Sequence, residues 1–423
     1  MSDEVRRDVH RLRVVFVNRY YSPDLSATSQ MLTDLAEALE CCGIEVAIVC
    51  SRQLYDDPRA GLPPHEVVRG VAVRRVLASR FGRDRLIGRA LDYATFYLAA
   101  TAVLLRLVRR SDVLVVKTDP PLLSLFGALV AACKGALLVN WLQDVFPEVA
   151  SRLSLSPVPS ALEALVRAAR DRSLVAARTN VVLGTRMRDY LMSRGIAPQR
   201  LCISENWADE SAVSPLRASR SALRNELGLA DRFVVAYSGN LGRAHDVETL
   251  WGAAELLRAD PGLIFLMIGG GANMRVLESR TQAKELTNFR FAAYRPRTAL
   301  ADGLAAGDVH LVSLLPRLEG LIFPSKLYGI LAAGRPVVFI GDPDGEPARL
   351  IREFEVGACI ACGDSEGLRA ALCRLRGDPA GRERMSVNAR KLFEDRYTLG
   401  AAVGRWQKIL SAVAAHAAGG GDG

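Results

Sequence analysis

The stretch that decides the fold is Glu319–Pro336, EGLIFPSKLYGILAAGRP, which lies between two apolar runs at 309–315 and 337–340. An apolar run, a loop punctuated by Gly and Pro, a short helix and a second apolar run predict the order strand, loop, helix and strand. This order is typical of proteins in which parallel strands alternate with helices.

The loop inside this stretch carries groups that suit a particular kind of ligand. It brings a carboxylate, Glu319, and a cation, Lys326, to the start of the helix, together with the free backbone amides of Gly320, Leu321 and Ile322. These groups fit a ligand with hydroxyls at one end and a diphosphate at the other, as in a nucleotide-sugar. The alternative is an ordinary strand–loop–helix joint with a solvated lysine.

The same alternation extends over most of the chain. We predict strands at 12–17, 46–50, 112–117, 136–141 and 180–183, and again at 233–239, 263–268, 289–292, 309–314, 337–340 and 358–360. Strands that alternate with helices form parallel sheets covered on both faces. The sequence therefore predicts an α/β fold with two doubly wound, Rossmann-like domains, 1–210 and 211–397. We expect the last helix, at about 398–415, to pack back on the first domain. Ligand loops at the carboxyl ends of both sheets would enclose a cleft.

Composition and charge narrow the class of protein. A chain of 423 residues, half of them apolar, fits two globular domains. Most of the net charge of +9 lies in residues 1–206, which hold 28 Lys and Arg and 21 Asp and Glu, a balance of +7. This excess of positive charge indicates an anionic partner, such as a phosphate or an anionic membrane surface. The alternative is that it reflects only a bias toward arginine in the composition of the chain. The basic residues are not interleaved with aromatic ones, so we expect no nucleic-acid partner.

Cysteine usage and the apolar runs bear on the cellular compartment. The 8 Cys are scattered and no secretory signal precedes them, so a reducing cytoplasm fits and neither a metal nor a cofactor is expected. The longest uncharged runs, Tyr93–Leu105 and Pro120–Cys133, have 13 and 14 residues, so we expect no segment that spans a bilayer. Arginines flank the first run on both sides: Arg83, Arg85, Arg89, Arg106, Arg109 and Arg110. With these flanks, a helix at about 86–108 would either lie among lipid headgroups or pack in the core with its ends in solvent.

A second glycine-containing loop follows the first strand of the second domain. In Gly239-Asn240-Leu241-Gly242-Arg243, the two glycines allow a ligand to approach the backbone, and Arg243 offers a fork to phosphate. Such a loop is common and is weak evidence alone. It gains weight beside Lys326, because two cations that converge on one diphosphate are difficult to explain by packing.

Several segments together resemble the large family of retaining glycosyltransferases with the GT-B fold. They are SGNLGRAHDVETL at 238–250, the deciding stretch continued to Gly341, and GEPARLI at 345–351. Within the family, three further segments are similar to bacterial transferases of surface-polysaccharide assembly, of the type that makes colanic acid and O-antigen. These segments are 18–39, WLQDVFPE at 141–148 and NWAD at 206–209. The resemblance covers the chain from about Arg13 to Ile409.

The resemblance implies roles for residues on the donor side. Arg243 and Lys326 would neutralise the donor diphosphate and stabilise the leaving group without a metal, helped by the dipole of the helix that starts near Ser325. Glu319 and the loop amides would hold the sugar hydroxyls, and Glu346 would hold the ribose or the loop. The remaining donor contacts would come from Gly239, Asn240, Gly242, Gly270, Tyr294 and Arg295.

The chain also departs from the commonest pattern of the family. Most members carry a second Glu five residues before the helix glycine, and this position, counted back from Gly334, is Gly329. The second Glu touches the ribose in the family, so the ribose contact would have to be rebuilt, and we assign it to Glu346. The missing Glu also suggests a non-catalytic partner in a polysaccharide-assembly complex as an alternative.

On the first domain, the resemblance places the loop Ser22–Thr28, with Ser26, Ala27 and Thr28, toward the diphosphate and the acceptor. Asp144 occupies a strand-end position near the acceptor, or else it caps a helix. Glu148 is a weaker candidate.

Two histidines lie near these segments. His245 is expected at the surface, unless it touches phosphate beside Arg243. We expect His310, in an apolar strand, to be a core residue with its hydrogen bonds satisfied.

We therefore expect the protein to transfer a sugar from a nucleotide-sugar to a saccharide or polyprenol-linked acceptor, with retention of the anomeric configuration. The expected donor is a UDP-sugar. The enzyme would be cytoplasmic and peripheral to the inner face of the membrane. The rival from the same fold is a UDP-sugar epimerase, which would turn over its substrate without an acceptor.

Overall fold

Two sheets organise the chain in the computed structural model, which describes residues 12–82, 86–154 and 159–418. The first has eight strands in the order β3-β4-β2-β1-β5-β6-β7-β8, and only β3 and β4 pair antiparallel. The strands are β1 Arg13–Val17, β2 Glu45–Ser51, β3 His65–Val68, β4 Val71–Val76, β5 Val113–Lys117, β6 Leu137–Trp141, β7 Thr179–Val182 and β8 Leu201–Ile203. The helices of this domain are α1 Ala27–Cys41, α2 Leu86–Leu107, α3 Leu123–Lys134, α4 Glu148–Arg152, α5 Ser160–Ala176 and α6 Thr185–Ser193.

The second sheet has six parallel strands in the order β11-β10-β9-β12-β13-β14. They are β9 Phe233–Asn240, β10 Leu263–Gly270, β11 Phe289–Ala292, β12 Val309–Ser313, β13 Val337–Gly341 and β14 Gly357–Ala361. The helices that follow β8 are α7 Ala222–Glu226, α8 Glu248–Leu256, α9 Ala272–Ala283, α10 Leu300–Ala305, α11 Lys326–Ala332, α12 Glu346–Glu353, α13 Ser365–Gly377, α14 Pro379–Arg396 and α15 Leu399–Ala418. The two doubly wound sheets predicted from the alternation of strands and helices are confirmed.

The central strands are continuous apolar runs because helices cover both faces of each sheet. Every residue of β1, β5, β6 and β13 is buried. Helix α1 turns Leu32, Leu35 and Leu39 into the core, and Gly43, with a φ of 85°, follows its end in a conformation that glycine adopts without strain. The two domains meet at the carboxyl ends of their strands, where the amide of Val145, after β6, donates to the carbonyl of Leu321, after β12, at 2.8 Å.

Helix α15 returns from the second domain and packs on the first. Its Trp406 is fully buried, with its ring centroid 4.7 Å from that of Trp141 and 6.3 Å from that of Phe16. Ala402, Leu410 and their neighbours on α15 join the same core cluster as β1 and β6. The end of the chain therefore closes the back of the first sheet.

Helix α2 corrects one expectation. Its segment Ile87–Leu107 has 21 residues, with a mean hydropathy of 1.3 over a window of 18, and is by length and composition able to cross a membrane. The longest uncharged run is shorter than the helix, because the helix also includes the charged residues Arg89 and Asp92. Asp92 is buried, and its carboxylate accepts a hydrogen bond from the Ser79 hydroxyl at 2.6 Å. Arg83 and Arg85, predicted to flank this helix, lie outside the described residues.

One face of α2 is nevertheless part of the core. Phe96, Ala100 and Leu104 are buried against the sheet, whereas Ile87 and Leu98 on the opposite face are 78% and 68% exposed. A helix with this asymmetry is held by the domain and leaves an apolar stripe on its outer surface.

Candidate active site

Lys326 is the central cation of the cleft on the second domain. It is the first residue of α11, and its Nζ donates a hydrogen bond to the hydroxyl of Tyr237 on β9 and lies 3.8 Å from the centre of that ring. A Cβ at Gly239 would lie 3.9 Å from Lys326 Cε, so the glycine loop after β9 runs directly past the side chain. No carboxylate of the described residues lies within ion-pair distance of the ammonium group. The side chain is half-buried, and the loss of solvation without a counter-charge lowers the pKa of Lys326 to about 7.

His245 lies beside this lysine and is half-buried, so it is not the exposed surface histidine that was expected. Its Nδ1 donates to the carbonyl of Ser313 at 2.6 Å, since a carbonyl can only accept. Burial, and secondarily the charge of Lys326, lowers the pKa of His245 to about 3. The imidazole is therefore neutral at physiological pH and adds no positive charge. His310 is buried, with Nε2 2.8 Å from the Leu304 carbonyl, which confirms that it is a core residue. Its Nδ1 has no hydrogen-bond partner among the described residues, so the expectation that its hydrogen bonds are satisfied is wrong.

Arg243 is exposed at the edge of a cavity of about 240 Å³. His245 lines the same cavity, and the charge of Lys326 acts on it, so His245 lies near both cations. A second arginine, Arg317, also lines the cavity. Sequence reasoning missed it, although it stands only two residues before Glu319. The side chain of Asn240 packs near Gly242 at the base of the loop.

The loop after β12 is less open than its sequence suggested. The amides of Leu321 and Ile322 both donate to the carbonyl of Leu318, at 3.0 and 3.3 Å, so the expectation that they are free is wrong. A tight turn forms because Gly320 adopts a φ of 76°. Within the described residues, the amide of Gly320 has no hydrogen-bond acceptor. Ser325 precedes α11 and is exposed, and its side chain makes no capping hydrogen bond.

Glu319 and Glu346 form a chain of contacts between the domains. Glu319 Oε1 accepts the backbone amide of Glu346 at 2.7 Å, and burial raises the pKa of Glu319. The carboxylate of Glu346 in turn accepts the amides of Thr185 and Arg186, at 2.7 and 3.1 Å, at the start of α6 in the first domain. A Cβ at Gly184 would lie 2.3 Å from Glu346 Oε2, so only glycine allows this approach. In this conformation Glu346 therefore joins the two domains and does not face an open ribose site.

Asp144 lies opposite the sugar loop on the first domain. The amide of Val145 donates to the Leu321 carbonyl at 2.8 Å, and Asp144 pairs with Ile322 in an isolated antiparallel bridge. The alternative that Asp144 caps a helix is wrong, because α4 begins at Glu148 after Pro147. The residue keeps contact with solvent, but the crowded walls of the cleft and the charge of Asp119 raise its pKa to about 6.

The predicted acceptor loop lies beside these acidic groups. The Ser26 hydroxyl donates to Asp24, and Ala27 begins α1. The Thr28 hydroxyl donates to Asp119 Oδ2 at 3.2 Å, and the Thr28 carbonyl accepts from Nζ of Lys117 at 3.0 Å. Lys117, at the end of β5, carried no motif and was missed.

Three other candidates have defined surroundings. The Tyr294 ring is 61% exposed and packs on Gly269 and Gly270, whose added Cβ atoms would each lie 3.2 Å from it. Arg295 points away from this ring and pairs with Glu226 at 2.6 Å. Glu148 is buried against Arg170 at 2.6 Å, which is a structural ion pair and not an acceptor contact.

Comparisons with known proteins identify two glycosyltransferase domains in the chain. Residues 26–207 match the glycosyl transferase 4-like domain, and residues 219–392 match the glycosyl transferases group 1 family. WcaI of Escherichia coli K12, which carries the name of a colanic acid biosynthesis glycosyl transferase, is 26% identical over 387 residues, covering 88% of this chain and 95% of its own.

Solved structures show the same fold at low identity. Sucrose-phosphate synthase of Thermosynechococcus elongatus superposes with a TM-score of 0.75 at 17% identity, covering 96% of this chain and all of its own. HepE of Anabaena in complex with UDP-glucose superposes with a TM-score of 0.70 at 16% identity, covering 95% and 100%. These likenesses establish the two-domain GT-B architecture.

Proposed function

The chain belongs to the glycosyltransferases of the GT-B fold, and we propose that it moves a sugar from a UDP-sugar to a saccharide or polyprenol-linked acceptor with retention of configuration. The observation that carries the donor assignment is Lys326. Lys326 is half-buried beside the glycine loop at the carboxyl end of β9, and its ammonium group, which has no counter-charge there, would be stabilised by an anion that enters the cleft. A diphosphate is such an anion, and the UDP-glucose complex of HepE, which shares the fold, supports a nucleotide-sugar.

The proposed chemistry is a transfer between two oxygens. The bond from the anomeric carbon to the diphosphate oxygen breaks, and a bond from that carbon to the acceptor oxygen forms on the same face. The hydroxyl proton of the acceptor passes to the leaving diphosphate. Lys326 and Arg243 stabilise the negative charge that develops on the diphosphate, so no metal is needed in this proposal.

The two carboxylates serve different partners. Glu319 lies on the loop that would face the sugar hydroxyls, whereas Asp144 on the opposite wall would orient the acceptor hydroxyl. For Glu346 to reach the ribose, its carboxylate must leave the amides of Thr185 and Arg186. We propose that it does so when the donor enters and the domains adjust.

We place the enzyme in surface-polysaccharide synthesis, in the cytoplasm, at the inner face of the membrane. The similarity to WcaI supports the first part. The second part rests on α2, where Ile87, Leu91 and Leu98 are exposed, as are Arg106 in its last turn and Arg109 just beyond its end. An apolar stripe next to cations fits the headgroup region of an anionic membrane, where a polyprenol-linked acceptor would reside.

Replacing Leu98 with glutamate should weaken membrane binding by about tenfold, because the stripe loses apolar area and gains a repelled charge. Co-sedimentation with vesicles of phosphatidylglycerol and phosphatidylcholine measures it. Val276→Glu, at a half-exposed position on α9, is the matched control and should bind as the unchanged protein does. Equal binding of all three proteins would remove the membrane part of the proposal.

Affinity for UDP should fall as the pH rises above 7. Burial holds the pKa of Lys326 at about 7 in the free protein, so the ammonium form that attracts a diphosphate is lost through this range. The loss approaches tenfold per pH unit, whereas the terminal phosphate of UDP, with a pKa of about 6, is already ionised. Calorimetry between about pH 7.5 and 9 should show this fall together with proton uptake on binding. In Lys326→Arg the fall should disappear, because guanidinium stays charged. A UDP affinity that is independent of pH in the unchanged protein contradicts the assignment.

A donor screen that follows release of the nucleoside diphosphate tests the reaction itself. UDP-sugars and GDP-sugars are offered with a mixture of saccharide and polyprenol-linked acceptors. Release that depends on an acceptor supports a transferase. Turnover of a UDP-sugar with no acceptor supports the epimerase, and binding of no nucleotide supports the non-catalytic partner.

A further inference from the structure

Lys117 is a buried lysine at the carboxyl end of the first sheet. It is the last residue of β5, next to Trp141 in the register of the sheet, and only 1% of its surface is exposed. Its Nζ lies 3.7 Å from the centre of the Trp141 ring and donates to the Thr28 carbonyl. Among the described residues no carboxylate pairs with it within ion-pair distance.

The surroundings of Lys117 connect it to the acceptor side. Lys117 and Asp144 line the same small cavity, with Asn140 and Phe146. Lys117 is the last residue of β5, and the exposed Asp144 lies three residues beyond the end of the adjacent strand β6, so the charge of each acts on the other. Through Thr28, Lys117 also holds the first turn of α1, which follows the predicted acceptor loop.

We propose that Lys117 is a positioning residue for the transfer reaction, which holds Asp144 as a carboxylate toward the acceptor hydroxyl and fixes the loop at Thr28. This proposal rests on the proposed function. A charged lysine in an interior site is costly unless a nearby anion stabilises it. Two carboxylates do so for Lys117, Asp119 more strongly and Asp144 second, and of these two only Asp144 lines the cavity. An ionised carboxylate accepts the hydrogen bond of the acceptor hydroxyl, whereas a protonated one competes as a donor.

The other charged groups around Asp144 do not replace Lys117. Asp119 follows β5 and opposes ionisation of Asp144. Arg170 of α5 lines the cavity but is paired with Glu148 and Asp171, at 2.6 and 2.8 Å. From the second domain, Asp144 meets the backbone of Ile322.

The first test measures the effect of Asp144 on the titration of Lys117 in the ligand-free protein. The chain has six lysines, so lysine labelled with ¹⁵N and ¹³C gives six side-chain signals. The spectra of Lys117→Met and Lys326→Met identify two of them, which should titrate near pH 7 because burial lowers both pKa values to about 7. In Asp144→Asn the midpoint of Lys117 should fall by roughly one pH unit, since an opposite charge is lost, while that of Lys326 stays.

The second test reads the reaction, with the donor and acceptor that the screen identifies. In Lys117→Met the acid limb of kcat/KM should move to higher pH, because Asp144 loses the charge that favours its ionised form. Lys117→Arg should move the limb back, and Lys134→Met, on α3, is the control that should leave it in place. A purely structural role would lower the rate without moving the limb.

The outcomes separate the two claims. A Lys117 midpoint that is unchanged in Asp144→Asn, or an acid limb that is unchanged in Lys117→Met, overturns the role of Lys117. Absence of nucleotide binding overturns the proposed function, and the titration of Lys117 in the ligand-free protein does not depend on that result.

Discussion

Replacing Lys326 with alanine is expected to lower kcat by about 10²–10³-fold and to leave the fold intact. The ammonium group stabilises charge that develops on the leaving diphosphate, and it does so in a cleft where little water can substitute for it. The fold should survive because burying this charge disfavours the folded state, as the lowered pKa of about 7 shows. Initial rates of nucleoside diphosphate release measure the effect, and circular dichroism checks the fold.

The control for this variant is Lys284→Ala, at the exposed end of α9, which should keep the rate of the unchanged protein. Tyr237→Phe tests how much the hydrogen bond of Lys326 contributes to the rate, because it removes the hydroxyl that accepts from Lys326 and keeps the aromatic ring. We expect a smaller loss of rate in Tyr237→Phe than in Lys326→Ala. Turnover of Lys326→Ala equal to that of the unchanged enzyme would refute the diphosphate role.

Replacing Trp406 with alanine is expected to reduce the free energy of unfolding by about 3–5 kcal/mol. The indole is fully buried between α15 and the first sheet, against Trp141 and Phe16, so its removal leaves a cavity that two rigid aromatic rings cannot fill. Chemical denaturation followed by tryptophan fluorescence and by circular dichroism measures the change.

Lys408→Ala, an exposed position on the same helix, is the control and should cost less than about 0.5 kcal/mol. Because the protein has two domains, the comparison uses the transition in which the first domain unfolds. A loss below about 1 kcal/mol in Trp406→Ala would show that α15 does not hold the first sheet in solution.

The fold was readable from the sequence where burial is complete. β1, β5 and β13 are unbroken apolar runs because helices cover both faces, and the predicted bounds agree within one or two residues. β3 was missed because this short edge strand, His65–Val68, alternates exposed and half-buried residues and holds only two apolar ones. β8 was missed for a similar reason, as it has three half-buried residues.

The candidate site was readable only in part. Lys326 and Arg243 stand in motifs with recognisable neighbours. The loop amides looked free because a sequence does not show that Leu321 and Ile322 turn back on Leu318. The contact of Glu346 with Thr185 joins residues 161 positions apart and depends on how the domains meet. Lys117 stood at the end of an apolar strand, where only the three-dimensional neighbourhood of Asp144 gives it meaning.

Calorimetric titration of UDP into the unchanged protein, Arg243→Ala and Lys326→Ala at about pH 7 tests the central claim most directly. We predict saturable binding of one UDP per chain that weakens at least about tenfold in each variant, because each removes a charge-assisted contact to the diphosphate. GDP in the same experiment reports the preference for the base. Absence of binding to either nucleotide, or UDP binding that both variants leave unchanged, would contradict the account.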